Sequence, residues 1–136
     1  MRYLAIDYGS RRTGLAICDA DETIVSPLRV LQGPRSLIAR IAEIATAEGV
    51  NGLVVGLPLN MDGSEGPQAA RTRAFARHLR ERIELPVHFQ DERLSSFGAT
   101  EKLNEAGLSR ARQKARLDAV AAAEILQAFL DKKTGL

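Results

Sequence analysis

The sequence predicts an α/β fold built on one mixed sheet, and three observations carry that prediction. The chain opens on three short β-type segments separated by turns, which read as an antiparallel meander. It then alternates helical and strand patterns, the order expected of a sheet covered by helices. One of the later strands, Leu53-Val54-Val55-Gly56, is apolar on both faces, as strands in the buried middle of a parallel sheet are. The chain has 136 residues, which fits one domain, residues 1–136, around a single core.

Each element has its own signal. Tyr3-Leu4-Ala5-Ile6-Asp7 is the first strand. Tyr8 to Thr13 holds a Gly-Ser-Arg-Arg turn, and Gly14 opens a second strand, Leu15-Ala16-Ile17-Cys18. Ala20-Asp21-Glu22 is a turn. Thr23 to Leu31 is a third strand, in which Pro27 demands a sheet edge or a bulge because it cannot donate to a ladder. Leu37, Ile38, Ile41, Ala42, Ile44 and Ala45 form the apolar stripe of a helix from about Ser36 to Glu48, and Gly49 stops it. After the buried strand, Leu57 to Gly66 is a ten-residue loop rich in Pro, Asn, Asp and Gly. That is long for a β–α connection, and such length usually marks function or disorder. A helix from about Pro67 to Ile83 sets Phe75, Leu79 and Ile83 on one face and Arg73, Arg77 and Arg80 on another. Pro86 to Gln90 is a fifth strand, and Ser95 to Ala106 is a helix closed by Gly107. The last helix runs from about Ala111 to Asp131. The expected sheet has five strands, a three-stranded antiparallel meander plus two parallel strands.

Composition narrows the function classes. Aromatic residues make up 4% of the chain and Trp is absent, so the core is expected from Leu, Ile, Val and Ala. No apolar run is long enough to span a bilayer, and the N-terminus lacks the pattern of a signal peptide. Cys18 is the only cysteine, so no intrachain disulfide is possible. These features together point to the cytoplasm. Cys18 lies in an apolar run and reads as a buried, inert thiol. The net charge of +2 hides an asymmetry: residues 71–116 hold eleven Lys/Arg against six Asp/Glu, while residues 1–70 hold six against eight. A basic middle suggests a polyanion bound on one side, with a solvated helix face as the plainer alternative.

Three acidic positions stand out. Alternation puts Leu4 and Ile6 on one face of the first strand, and Tyr3, Ala5 and Asp7 on the other. Asp7 is then the first charge beyond an apolar strand, at the C-terminal end where ligand groups collect in α/β sheets. A turn aspartate would also explain it. Asp91-Glu92-Arg93 follows the fifth strand. Alternation sends the two carboxylates to opposite faces, so one can face a site while the other pairs with an arginine. A plain loop ion pair is the competing reading. Asp118 shares a helix stripe with Ala121, Ala122 and Ile125. A carboxylate there needs a partner, whether a helix N-terminus, an arginine or a metal. Three carboxylates make an all-oxygen set, which suits Mg²⁺ or Mn²⁺ better than Zn²⁺. Ions held this way can activate a water and stabilise the leaving oxygen of a phosphodiester. His78 and His88 lack metal-pair spacing and read as structural or surface residues.

The motifs taken together resemble the YqgF family of pre-16S rRNA nucleases and Holliday-junction-resolvase-like proteins. The matching pieces are Ala5-Ile6-Asp7-Tyr8-Gly9 with Gly14; Val54-Val55-Gly56-Leu57-Pro58-Leu59-Asn60-Met61-Asp62-Gly63; Asp91-Glu92-Arg93-Leu94-Ser95; and Lys114 with Asp118 before an Ala-rich helix. They run in family order over nearly the whole chain. The resemblance implies an RNase-H-like fold and a divalent-metal nuclease with Asp7, Glu92 and Asp118 as catalytic metal ligands, Asp91 in support. Arg116 departs from the pattern, which has lysine two residues before the aspartate, but it keeps the charge. Arg11, Asn60, Arg73, Arg77, Arg93, Lys114 and Arg116 are the candidate nucleic-acid contacts.

The leading expectation is therefore an Mg²⁺- or Mn²⁺-dependent endonuclease acting on the 5′ end of pre-16S rRNA, as a monomer or homodimer. Resolution of four-way DNA is the first alternative, and a dimer would suit its symmetric cuts. A phosphate loop like that of actin-like sugar kinases is another, although that architecture needs two lobes. A nucleic-acid-binding protein without catalysis is the last.

Overall fold

The computed structural model describes residues 1–93 and 110–135, and side chains within them except those of 110–116. Its strands are β1 (Tyr3–Asp7), β2 (Arg12–Cys18), β3 (Val25–Gln32), β4 (Gly52–Leu57) and β5 (Val87–Asp91). Its helices are α1 (Leu37–Glu48), α2 (Pro67–Arg82) and α3 (Arg110–Thr134). The helix expected over Ser95 to Ala106 lies outside the described residues.

The five strands form one sheet in the order β3-β2-β1-β4-β5. β1, β2 and β3 pair antiparallel, while β4 runs parallel to both β1 and β5. This is the meander with two parallel strands that the turns and the apolar strand predict. β4 occupies the position its composition demands, since every residue from Gly52 to Leu57 is buried. β3 is an edge strand, and its ladder with β2 shifts register between Leu15 and Ala16, opposite the stretch that holds Pro27. The proline therefore takes both of its permitted roles at once.

Strand alternation divides the core in two. Leu4, Ile6, Leu15, Leu53 and Val55 pack against α1 and α2 through Leu37, Ile41, Phe75 and Leu79. Tyr3, Ala5, Ala16, Cys18 and Val54 pack against α3 through Ala122, Ile125, Leu126 and Leu130. Cys18 is a buried free thiol, as expected. α1 ends on Gly49, whose φ of 64° is the left-handed cap that glycine adopts without strain. Among the described residues no helix is long and apolar enough to cross a membrane.

The α3 face of the sheet is lined by small residues, and two of them are required by contact. Gly14 lies opposite Asp7 in the β1–β2 ladder. A Cβ on Gly14 would run into the backbone carbonyl of Asp118. Helix α3 thus crosses β2 at backbone contact, which carries Asp118 to the end of β1. A Cβ on Gly56 would overlap the Glu92 carboxylate and the Ile125 side chain. Glycine at these two positions leaves the space into which acidic groups fit.

Candidate active site

Parity brings the acidic residues to one place. Asp7 continues the Tyr3-Ala5 face of β1, toward α3. In β5, Val87 and Phe89 pack on the α1/α2 side. Residues 88, 90 and 92 then turn to the α3 side. Glu92 follows the strand and lies over Gly56. Asp118 arrives from α3 above Gly14.

The electrostatics record this convergence. The Asp7 carboxyl is pushed up from 3.8 to about 8, first by burial, then by the charge of Glu92 and that of Asp118, and by a hydrogen bond shared with Glu92. Glu92 is also raised, chiefly by burial and further by the neighbouring Asp91, while its hydrogen bond with Asp7 works in the other direction. Near neutral pH in the absence of a cation, Asp7 and Glu92 hold a proton between them. Close carboxylates that cannot all ionise behave this way.

Asp91 and Glu92 separate as alternation predicts. Asp91 turns to Arg93, with Arg93 Nε 2.8 Å and Nη2 2.7 Å from Asp91 Oδ2. That pairing holds the Asp91 carboxyl below its usual range. Arg93 also donates to the Met61 carbonyl at 3.2 Å, which ties the loop of residues 58–66 to the end of β5. Within that loop Asn60 Nδ2 donates to Ser64 Oγ at 3.0 Å. Ser64 in turn donates to Asp62 through both its backbone N–H and its hydroxyl. The long connection is therefore a folded loop that Arg93 clamps beside the acidic cluster.

Asp118 has a partner that the sequence left open among three. Helix α3 begins at Arg110, about two turns earlier, so the helix N-terminus is not that partner. An arginine is: Arg12 Nε lies 2.6 Å from Asp118 Oδ2. Sequence reasoning chose Arg11 from the same turn. Arg11 is exposed, whereas Arg12 shares the strand face of Gly14, Ala16 and Cys18 and so points to α3. That alternation was the signal that could have singled it out.

The other expected nucleic-acid contacts scatter. Arg73 is bidentate to Glu65 at 2.6 and 2.8 Å and lies over the Phe89 ring with Arg80. Arg77 is exposed on the outer face of α2. Lys114 and Arg116 fall in the first turns of α3, and their side chains lie outside those described. His78 is exposed beside Glu81, and His88 packs against Tyr3 and Phe129, so neither joins the acidic cluster. Tyr8, next to Asp7, stacks on Phe75 of α2 with ring centres 4.2 Å apart and planes 10° from parallel.

As donors, Asp7, Glu92 and Asp118 could take a hard divalent cation, because all are carboxylates on one sheet face. The fit is open rather than closed. Among the described residues no three such side chains are already arranged as a metal cage.

Comparison with solved structures places the fold. Thermus thermophilus RuvC in complex with a Holliday junction matches with a TM-score of 0.60 at 15% identity, over 99% of this chain and 97% of that one. The Fowlpox virus resolvase bound to junction DNA matches with a TM-score of 0.61 at 10% identity, over 98% and 99%. The fold is RNase-H-like, the class to which these resolvases belong. Sequence comparison narrows the class. A chain from Moorella thermoacetica named "Putative pre-16S rRNA nuclease" is 46% identical over 97% of this chain and 96% of its own length. One of the same name from Chloroflexus aurantiacus is 45% identical over 96% and 86%. The RuvX family, described as Holliday junction resolvase, matches residues 1–132. The chain belongs to this family of nucleases.

Proposed function

We propose that this protein is a divalent-metal-dependent endonuclease that trims the 5′ end of the 16S rRNA precursor, with Asp7, Glu92 and Asp118 as its metal-holding residues. The observation that carries the reading is the crowding at Asp7, whose carboxyl is raised to about 8 first by burial and then by the charges of Glu92 and Asp118. Packing like charges together costs folding free energy, and a bound cation is what would offset it. The all-oxygen donors suit Mg²⁺ or Mn²⁺, and the space over Gly56 that a Cβ would fill keeps the Glu92 carboxylate in the cluster. Bound there, the cation would supply Lewis-acid activation of water and stabilise the departing oxygen of a phosphodiester.

The chain's own residues do the rest. Gly14 lets α3 approach so that Asp118 reaches the end of β1, Gly56 leaves room for the Glu92 carboxylate, and Ile125 of α3 packs beside that space. The loop of residues 58–66, clamped by Arg93, offers backbone groups and Asn60 to a phosphate strand. Arg11, Arg73, Arg77, Lys114 and Arg116 are candidate contacts for the parts of a strand that run beyond the acidic cluster. A cytoplasmic location and a single domain go with this substrate and size.

The test is cleavage of an RNA spanning the 5′ end of the 16S precursor and of a four-way DNA junction, side by side, in Mg²⁺, Mn²⁺ and EDTA. Wild-type protein should cut the RNA only with a cation, and folded Asp7→Asn should not cut it. Full metal-dependent activity in Asp7→Asn would overturn the site. Preferential cutting of the junction by a dimer would favour the second reading, which the family's description as a Holliday junction resolvase supports. Tight RNA binding with no cleavage in any cation would leave a binding protein.

A further inference from the structure

Arg12 stands where a divalent cation would compete with it. Its Nε is 2.6 Å from Asp118 Oδ2, and the two side chains are about one-third and one-quarter exposed, so the pair opens to solvent at the edge of the cluster. The pair is not needed to dock α3. Ala122, Ile125, Leu126 and Leu130 already anchor that helix to the sheet, and Gly14 sets its approach at Asp118. What the guanidinium supplies is a positive charge beside a carboxylate in a crowded acidic site.

A cation at Asp118 would set two positive charges against the guanidinium on one carboxylate, and like charges at that range repel. Arg12 would then have to leave, and its planar fork matches the oxygens of a phosphate. We infer that Arg12 is an exchangeable counter-charge. It neutralises Asp118 in the metal-free protein and passes to a phosphate of the nucleic-acid strand when a divalent cation takes that carboxylate. The inference rests on the metal reading above and adds a positioning residue to it. It also couples the two ligands, since metal binding frees Arg12 for the strand and strand binding frees Asp118 for the metal.

The experiment compares wild type, Arg12→Gln, Arg12→Lys and Asp7→Asn. Mn²⁺ binding is measured by calorimetry without nucleic acid. Affinity for a fluorescein-labelled RNA spanning the 5′ end of 16S rRNA is measured in Ca²⁺ across a salt series, with RNA integrity checked on gels. Arg12→Gln should bind Mn²⁺ roughly three- to ten-fold more tightly, because a competing charge is gone. The same variant should bind RNA roughly three- to ten-fold more weakly, with a salt slope smaller by about 0.7 to 0.9, the signature of one lost phosphate contact. Arg12→Lys should stay near wild type in both. Opposite signs in one variant are what a purely structural strut cannot produce. Unchanged or weakened Mn²⁺ binding in Arg12→Gln overturns the inference, and so does failure of that variant to fold. If instead Asp7→Asn binds Mn²⁺ as tightly as wild type, the metal reading itself fails, and this inference falls with it.

Discussion

Replacing Asp7 with Asn should make the metal-free protein more stable at alkaline pH while removing its activity. An aspartate whose carboxyl is raised from 3.8 to about 8 in the fold ionises readily only when the chain unfolds. The unfolded state therefore binds fewer protons than the native state between these values, and stability falls as pH rises across that window. The contribution of Asp7 is fully present below about pH 4, is eroded between about 4 and 8, and is lost above the folded value. At 1.36 kcal/mol per unit, the limiting cost at pH 8 is about 5 kcal/mol. Glu92 shares the proton and the site opens partly to solvent, so somewhat under half of that, ~2 kcal/mol, is the working figure. Asparagine keeps the shape and cannot ionise. Urea unfolding of both proteins in EDTA at pH 4.5 and pH 8 reads the difference directly. Asp7→Asn should gain about 2 kcal/mol over wild type at pH 8 and little at pH 4.5. An Asp7→Asn protein less stable than wild type at pH 8, or a gain independent of pH, would refute the reasoning.

Mn²⁺ at saturating concentration should raise the melting temperature of wild type more at pH 8 than at pH 5, and should leave that of Asp7→Asn nearly unmoved; calorimetric scans decide this. Gly56→Ala should cost about 1–3 kcal/mol in urea unfolding and cut cleavage more than that loss explains, because its Cβ must displace the Glu92 carboxylate or Ile125. Gly14→Ala meets backbone rather than a movable side chain, at the Asp118 carbonyl, and should be the more damaging of the two by the same measurement. Arg93→Ala should release the loop of residues 58–66 from β5, raising KM for RNA while costing stability under about 1 kcal/mol, since the ion pair it loses is only half-buried.

Most of the fold was legible because its signals are local. Two-residue alternation sorted Tyr3, Ala5 and Asp7 from Leu4 and Ile6, and the two halves of the core divide along that line. The apolar run at Leu53 to Gly56 marked the central parallel strand, and Pro27 marked the edge. The candidate site was legible as a set of residue types, because a carboxylate at a strand end and another on an apolar helix stripe each need company. Its partners were not legible. Arg12 meets Asp118 across 106 residues, and a local reading of Arg11-Arg12 offers no choice between neighbours until the face of β2 is followed from Gly14. Separation in the chain also hides the stack of Tyr8 on Phe75, whose separate signals are a loop residue and a core helix residue. Backbone contact at Gly14 is equally silent, since nothing near it in the chain says that a helix a hundred residues later will lie against it.

The claim that Asp7, Glu92 and Asp118 form a metal-holding cluster is tested most directly by a crystal structure of the protein soaked in Mn²⁺, read by anomalous scattering. The account predicts Mn²⁺ density bounded by carboxylate oxygens of Asp7, Glu92 and Asp118, with the Arg12 guanidinium turned away from Asp118. Anomalous density elsewhere, with Arg12 still on Asp118 and none beside Asp7, would contradict it.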